Sequence, residues 1–182
     1  MSETPVPEDI AESWQVIHGY SISVRPLRRA DLDIESAFVE GLSRESRYNR
    51  LLGGSMTLSR RHIEQLTTID YSRDMALAAV VMTEDSEVLI GVARYVQEAS
   101  AGPGPCEFAI VIADAWQGRG IGAHLMRKLI AVARSRGLPA MYGEILATNS
   151  GMLMMMKRLG FRTARHPGDA TVNRATLDLS AP

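Results

Sequence analysis

The stretch between residues 109 and 125 constrains the fold of this chain most strongly. It opens with an apolar run of strand length, and a turn with three glycines follows, at Gly118, Gly120 and Gly122. From Ile121 onward apolar residues recur at helical spacing until Gly137, a residue type that often ends a helix. This order predicts a buried strand, a glycine-rich turn and an amphipathic helix.

Three glycines at the start of a helix require a compensating function. Glycine destabilises a helix by about 1 kcal/mol per residue relative to alanine. Without side chains, however, the free backbone N–H groups of the first turn can contact a bulky anion, whose charge the helix dipole favours. Each hydrogen bond to a charged acceptor contributes roughly 1.5 to 3 kcal/mol. The turn therefore predicts an anion site, and close packing of strand and helix is the purely structural alternative.

Two nucleotide-binding patterns fit these glycines poorly. Gly118-x-Gly120-x-x-Ala123 matches a degenerate dinucleotide fingerprint, and Glu144 lies about where a ribose-binding acid is expected. A Rossmann domain, however, carries this turn after its first strand, whereas only 60 of the 182 residues follow Gly122 here. The phosphate-binding pattern GxxxxGK followed by Ser or Thr is absent from the sequence.

The composition is that of one globular domain. The 182 residues are 46% hydrophobic and 23% charged, which is enough for a sizeable core. The formal net charge of −1 gives no general attraction to nucleic acid or to anionic membranes, so neither is an expected partner. No apolar run has the length of a transmembrane helix, and Cys106 alone cannot form an internal disulfide. We therefore expect a cytoplasmic protein, and the scattered histidines indicate no metal site.

Apolar periodicity and turn residues divide the chain into an arm and a domain. Residues 1–19 carry prolines and acids and are expected to form a flexible N-terminal arm, which leaves 20–182 as the domain. Strands are predicted at residues 21–27, 75–82, 88–97, 106–113, 140–146, 161–165 and 171–179. Helices are predicted at residues 31–41, from Ser43 or Ser46 to Gly53-Gly54, at 60–68 after Ser59, from the glycine turn to Gly137, and from Asn149 to Gly160. This order predicts an α/β (α+β) fold with helices on both faces of a mixed sheet.

The pattern Gln117-x-x-Gly120-x-Gly122 resembles the (Arg/Gln)-x-x-Gly-x-(Gly/Ala) signature of the GNAT superfamily of N-acetyltransferases. The preceding strand, Asn149 and the segment 159–161 also stand where that family has them. The resemblance implies a single GNAT-like domain, whose central sheet is mostly antiparallel with about six or seven strands. It also implies that acetyl-CoA is the co-substrate and that the glycine turn holds its pyrophosphate.

The same resemblance assigns the residues that contact the coenzyme. The pantetheine arm is expected beside the strand that precedes the turn, and the pyrophosphate at the turn itself. The residues implied are Ile110, Val111, Ile112, Gln117, Gly118, Arg119, Gly120, Ile121, Gly122 and Asn149. Asn149 is also placed to cap the helix that follows it.

Three further segments narrow the resemblance. Residues 42–48, 65–77 and 106–111 look like the acetyltransferase domain of bacterial protein-lysine acetyltransferases. A protein lysine is therefore the leading acceptor, with a small amine or amino acid as the alternative. A third alternative is a non-catalytic sensor that binds acetyl-CoA. A monomer and a homodimer are both compatible with the sequence.

Transfer to an amine requires a base, because only a lysine without its proton can attack. With a pKa of about 10.4, roughly 0.1% or less of the lysine is neutral at pH 7. Glu107 is the leading candidate: it is the lone acid at the start of an apolar strand, and the resemblance places the general base there. A solvent-facing acid at a strand end is the structural alternative. Glu144 in the neighbouring strand is expected to assist proton transfer, to bind substrate or to pair with an arginine.

Two further roles follow from the resemblance. A backbone N–H, that of Ile112, is expected to polarise the thioester carbonyl where the two central strands separate. Many GNAT enzymes carry a tyrosine seven residues beyond the asparagine, and that residue protonates the leaving thiolate. Here Met156 stands at that position, so no general acid is assigned.

Overall fold

The computed structural model describes residues 5–17, 19–52, 60–84, 86–98 and 103–180, and in these ranges eight strands form one sheet. The strands are β1 (Glu12–Ile17), β2 (Tyr20–Pro26), β3 (Met75–Met82), β4 (Glu87–Gln97), β5 (Cys106–Ile112), β6 (Ala140–Leu146), β7 (Arg162–His166) and β8 (Asp169–Asp178). Their order in the sheet is β1-β2-β3-β4-β5-β6-β8-β7. Every neighbouring pair is antiparallel except β5 and β6. The predicted mixed, mostly antiparallel sheet is confirmed.

Helices cover both faces of the sheet, as predicted. They are α1 (Leu32–Gly41), α2 (Arg44–Arg50), α3 (Arg60–Thr67), α4 (Ile121–Ser135) and α5 (Ser150–Arg158). Helices α4 and α5 pack on one face, and α1 lies on the other with α3 against it. The predicted helix break at Gly53-Gly54 and the predicted helix start at Ser59 lie outside the described residues. No helix within the described ranges is long and apolar enough to span a membrane.

Strand β3 shows why the sheet must be covered on both sides. Its residues Met75, Leu77, Ala79 and Val81 pack into the larger core beneath α4, whereas Ala76, Ala78 and Val80 pack with Phe38 and Leu42 on the other side. Side chains alternate between the two faces of a strand, so a continuous apolar run buries both. The run predicted at residues 75–82 is therefore a central strand.

The N-terminal segment differs from its prediction. Residues 12–17 of the expected flexible arm form the edge strand β1, which raises the strand count from the predicted six or seven to eight. A register irregularity between Ser13 and Gln15 leaves Trp14 outside the ladder, and its ring stacks on His124 with a centroid distance of 4.2 Å. Contacts with α4, some 110 residues away in the chain, thus hold β1 against the domain.

Candidate active site

A cleft opens where β5 and β6 separate. Their parallel pairing is limited to Cys106 with Met141 and Glu107 with Tyr142, and the rest of β5 diverges from β6. The resulting cleft has a volume of about 680 Å³. Five elements line it: β5, β6, the glycine turn with the start of α4, the start of α5, and α2.

The divergence leaves backbone groups of β5 free to pair with a ligand. Ala113 N–H donates to Ile90 C=O at 2.8 Å, which makes these residues a hydrogen-bonded pair in the ladder with β4. Because such pairs alternate along an antiparallel ladder, the backbone groups of Ile110 and Ile112 point away from β4, into the cleft. The side chain of Gln117 uses one of them, donating from Nε2 to Ile112 C=O at 3.0 Å. An extended ligand could pair with the rest as an added strand.

The glycine turn presents backbone N–H groups at the same end of the cleft. Gly118 and Gly120 have φ values of 71° and 83°, in the left-handed region that favours glycine. Helix α4 begins only at Ile121, so Gly122 alone lies within it and the predicted helix penalty falls on one glycine rather than three. The first helical hydrogen bond runs from His124 N–H to Gly120 C=O. The N–H groups of residues 121–123 therefore remain available to an anion.

Nine of the ten residues predicted to contact the coenzyme line this cleft. They are Ile110, Val111, Ile112, Gln117, Gly118, Gly120, Ile121, Gly122 and Asn149. Arg119 differs, because its guanidinium turns back to the Ala115 C=O, with Nε and Nη2 at 3.1 and 3.0 Å. It also lies over the Trp116 ring, 5.9 Å from the centroid. Arg119 thus supports the turn instead of lining the cleft.

Helix α5 begins at the cleft with a side-chain cap. The Asn149 Oδ1 accepts a hydrogen bond from Met152 N–H at 3.1 Å, as predicted for an N-cap. Met152 and Met155 line the cleft, whereas Met156 is fully buried in the core beneath the other face of the helix. The Met156 side chain therefore does not face the cleft.

Sequence reasoning missed a polar contact that joins the turn to α2. Both Asp114 carboxylate oxygens accept hydrogen bonds at the start of α2: Oδ2 from Ser43 N–H at 2.9 Å, and Oδ1 from the Ser43 and Ser46 hydroxyls at 2.7 and 2.8 Å. The Gln117 Nε2 also donates to Ser46 Oγ at 3.1 Å. These bonds, from Ser43 above all, hold the pKa of Asp114 below its usual value. The contact fixes α2 relative to the coenzyme side of the cleft.

We expect Asp114→Ala to lower the free energy of unfolding by about 1 to 2 kcal/mol, the usual range for loss of a helix cap. Urea denaturation at pH 7 measures this loss. Because folding lowers the pKa of Asp114, its stabilising effect is complete above the unfolded value of 3.8 and is lost as the pH falls through the folded value. Asp33→Ala is the control, since the contact it loses among the described residues is an exposed ion pair with Arg60. Equal stability of the two variants would contradict a stabilising role of Asp114 at the start of α2.

Two acids lie at the opposite end of the cleft, and a third acid is close enough to act on them electrostatically. Glu107 and Glu144 both line it, and the pairing of β5 with β6 places them on the face that carries α2. The Glu144 carboxylate accepts a hydrogen bond from Arg174 at 2.9 Å and lies 3.4 Å from His166 Nε2. The third acid, Glu98, accepts a hydrogen bond from the Tyr142 hydroxyl at 2.8 Å.

The environment of Glu107 alters its acidity. Desolvation in the cleft raises the pKa of Glu107, and the negative charge of Glu144 raises it further. Arg174 and Arg50 partly oppose this rise. Of the two acids, Glu107 makes no hydrogen bond to another described side chain, whereas Glu144 accepts one from Arg174. Of these two cleft-lining carboxylates, that of Glu107 is therefore the one less engaged with other described side chains.

The single cysteine has a structural position. Cys106 is fully buried at the start of β5, and burial raises the pKa of its thiol to about 12. A thiol in this state is a poor nucleophile at neutral pH. Within the described ranges, no group of three His, Cys, Asp or Glu side chains is arranged to hold a metal ion.

Comparison with known sequences agrees with this geometry. Residues 46–161 match the acetyltransferase (GNAT) family. Acetyltransferase PA5475 of Pseudomonas aeruginosa is 41% identical over 154 residues, which cover 84% of this chain and 81% of that protein. Acetyltransferase Pat of Mycolicibacterium smegmatis is 31% identical over 158 residues, which cover 86% of this chain but 44% of that protein.

Solved structures show the same fold. The GNAT domain of S. lividans PAT matches with a TM-score of 0.84 and 27% identity, over 96% of this chain and 99% of that one. The cAMP-binding acyltransferase from Mycobacterium smegmatis matches with a TM-score of 0.62 and 26% identity, over 93% of this chain and 47% of the other. The family match across residues 46–161, together with a relative 41% identical over most of its own length, shows that this chain is an acetyltransferase of the GNAT family.

Proposed function

We propose that this acetyltransferase transfers acetyl from acetyl-CoA to a primary amine, the side chain of a protein lysine, with Glu107 as the general base. One observation carries the proposal: Glu107 lines the cleft at the end where β5 leaves β6, and its pKa is raised. The family uses acetyl-CoA as co-substrate. The lysine acceptor is supported by the resemblance of residues 42–48, 65–77 and 106–111 to protein-lysine acetyltransferases.

The cleft has the groups needed to hold the coenzyme. The N–H groups of residues 121–123 would bind its pyrophosphate, and the free backbone groups of Ile110 and Ile112 would pair with its pantetheine arm. The space is sufficient, because Gly122 leaves room between α4 and Met155: an added Cβ would lie 3.4 Å from Met155 Sδ. Acetyl-CoA would supply an activated thioester carbonyl for attack by the amine.

The remaining steps belong to the residues of the chain. Glu107 would take a proton from the incoming ammonium, and its raised pKa brings it closer to neutrality, where proton transfer is most efficient. The N–H of Ile112 would donate a hydrogen bond to the carbonyl oxygen as negative charge develops there. Met156 is buried and has no proton to donate to the leaving thiolate, whose pKa is about 8.5. As the adduct collapses and the C–S bond breaks, the nitrogen loses its second proton to water, and water returns a proton to the thiolate.

Charge on the acceptor side favours an ammonium. Glu107, Glu144 and Glu45 line the cleft, and only Glu144 of these three makes an ion pair with a described residue, Arg174. Such a concentration of carboxylates attracts a cationic lysine before it is deprotonated. Helix α2 lies across this face and would contact the segment around the acceptor.

The proposal is tested by incubating the purified protein with acetyl-CoA and either an acyl-CoA synthetase or a panel of small amines, with mass spectrometry as the readout. We expect acetylated lysines on the synthetase. Modification of small amines alone would contradict the protein acceptor and support the small-molecule alternative. Binding of coenzyme A without turnover on any amine would instead support a sensor.

A further inference from the structure

Arg50 is a cation in the cleft that forms no ion pair with any residue of the described ranges. It is the last residue of α2, is half-buried, and lines the cleft beside Glu107. It makes no hydrogen bond or ion pair with any described side chain. The other cleft-lining arginine, Arg158, is exposed on α5 at the opposite face of the sheet. Among the residues that the structure describes, Arg50 is thus a charged donor on the acceptor side without a hydrogen-bonded partner.

A second cavity, with largely apolar walls, borders Arg50. This side pocket, of about 280 Å³, lies beneath α1, α2 and α3, and Arg50, Ala109 and Val111 line both it and the main cleft. Its walls are largely apolar, with Phe38 and Leu42 among them. Desolvation here lowers the pKa of Arg50 to about 10. A guanidinium so placed gains more from a bound anion than an exposed one does.

The charged side chains described around Arg50 do not supply a carboxylate that is hydrogen-bonded to it. Arg94, which also lines the side pocket, is paired with Glu35 at 2.8 Å, and its charge is balanced. Arg94 repels Arg50, whereas Glu35 and Glu107 attract it without a hydrogen bond. Glu107 must also remain free to accept a proton if it is the general base. A carboxylate supplied from outside would balance Arg50 without occupying Glu107.

The position of Arg50 along α2 indicates which bound molecule would supply this carboxylate. The start of α2 is bonded to Asp114 at the coenzyme turn, whereas its last residue lies within electrostatic range of Glu107. Arg50 therefore faces the acceptor and not the pyrophosphate. Arginine binds carboxylates with two parallel hydrogen bonds, which gives directional selectivity.

Resting on the proposed function, we propose that Arg50 binds a carboxylate of the acceptor and selects amines that carry an acidic group nearby. The carboxylate has two sources: an Asp or Glu side chain beside the acceptor lysine, or the α-carboxylate of a free amino acid. In both, the acceptor's ammonium lies toward Glu107 and its carboxylate toward Arg50. Arg50 is then a specificity-determining residue and takes no part in proton transfer.

Two acceptor pairs test the inference. The first is a peptide with a lysine between two aspartates and its counterpart with two asparagines. The second is free lysine and cadaverine, which lacks the carboxylate. We expect the wild-type protein to prefer the acidic member of one pair about tenfold in kcat/KM, through a lower KM. The pair that shows the preference identifies the source of the carboxylate.

Variants of two arginines on α2 show whether Arg50 is the cause of that preference. Arg50→Gln should reduce the ratio to about one by raising KM for the acidic acceptor alone, and Arg50→Lys should retain part of it, because charge remains but the two-bond geometry is lost. Arg44→Gln, an exposed change at the start of the same helix and outside both cavities, should preserve it.

Three results would overturn the inference. The first is an equal loss of kcat/KM for both members of each pair in Arg50→Gln, which would indicate a structural role beside Glu35 or Glu107. The second is a preference for the acidic acceptor that survives this substitution. The third is no preference in the wild-type protein. Peptide affinity for the complex with coenzyme A, measured by fluorescence anisotropy, should fall about tenfold in Arg50→Gln for the acidic peptide only. This readout does not require turnover, whereas absence of acetylation of every amine would contradict the proposed function itself.

Discussion

Replacing Glu107 with glutamine is expected to lower kcat by about 100- to 1,000-fold and to leave the affinity for coenzyme A unchanged. Positioned general bases commonly contribute rate factors of this size. Glutamine keeps the shape of the side chain but cannot take a proton, and the groups that would hold the coenzyme lie at the other end of the cleft, at residues 118–122. Steady-state kinetics and calorimetry with coenzyme A measure the two quantities separately.

The pH profile provides a sharper test of the same role. The base acts only when deprotonated, so kcat/KM should fall as the pH decreases through the raised pKa of Glu107. Glu144→Gln removes a negative neighbour and should move this acidic limb to lower pH. Arg174→Gln removes a positive neighbour and should move the limb to higher pH. Opposite shifts from the two variants would be hard to explain by a general loss of structure.

Glu40→Gln is the matched control for these variants. Glu40 is an exposed acid on α1 that lines neither cavity, so this change should alter neither kcat nor the acidic limb. An unchanged kcat in Glu107→Gln, with coenzyme A still bound, would show that another group removes the proton. Glu144 would then be the first alternative, because it lines the same part of the cleft.

Gly120→Ala should raise the dissociation constant for coenzyme A by about tenfold or more. Gly120 has a φ of 83°, and a left-handed conformation costs other residues roughly 1 to 2 kcal/mol. Relief of this strain would tilt the N–H groups of the first turn of α4 away from a bound pyrophosphate. An added Cβ would also lie 3.8 Å from the Trp14 ring, an ordinary contact, so backbone strain and not a clash is the expected cause.

Gly137→Ala separates strain from binding. Gly137 has a φ of 70°, follows the far end of α4, and has no atom within 4 Å of an added Cβ. The two alanine variants should lower the melting temperature to a similar extent, because each carries the same left-handed strain. Gly137→Ala should leave the affinity for coenzyme A unchanged. Tryptophan fluorescence offers a direct readout, because Trp14 and Trp116, the two tryptophans of the chain, both lie near the turn. Equal affinities in the two alanine variants would contradict binding at the turn.

Much of the fold was readable from local patterns. The predicted strands at 75–82 and 140–146 coincide with β3 and β6, and the predicted ends of α1 and α3 are displaced by one residue at most. These elements are marked by continuous apolar runs, by helical spacing or by capping residues such as Ser43, which accepts from Ser46 N–H. The left-handed turn was also readable, since Gly118 and Gly120 are the residue type that such a turn needs.

The remainder depended on contacts between residues far apart in the chain. The strand β1 is held by its ladder with β2 and by the contacts of Trp14 and Glu12 with α4. The attachment of α2 depends on the contact between Asp114 and Ser43. Likewise, the direction of Arg119 toward Ala115 is set by the path of the folded turn.

Glu107, Glu144 and Met156 show what residue type indicates in the sequence and what only tertiary packing decides. Residue type marked Glu107 and Glu144 as candidates from the sequence alone, because carboxylates in apolar strands are unusual. Whether they share one face was settled by the register of β5 against β6, and the burial of Met156 by the rotation of α5 on the sheet. Local sequence encodes propensity and periodicity, whereas register, rotation and the partners of a charge arise only when distant segments pack together.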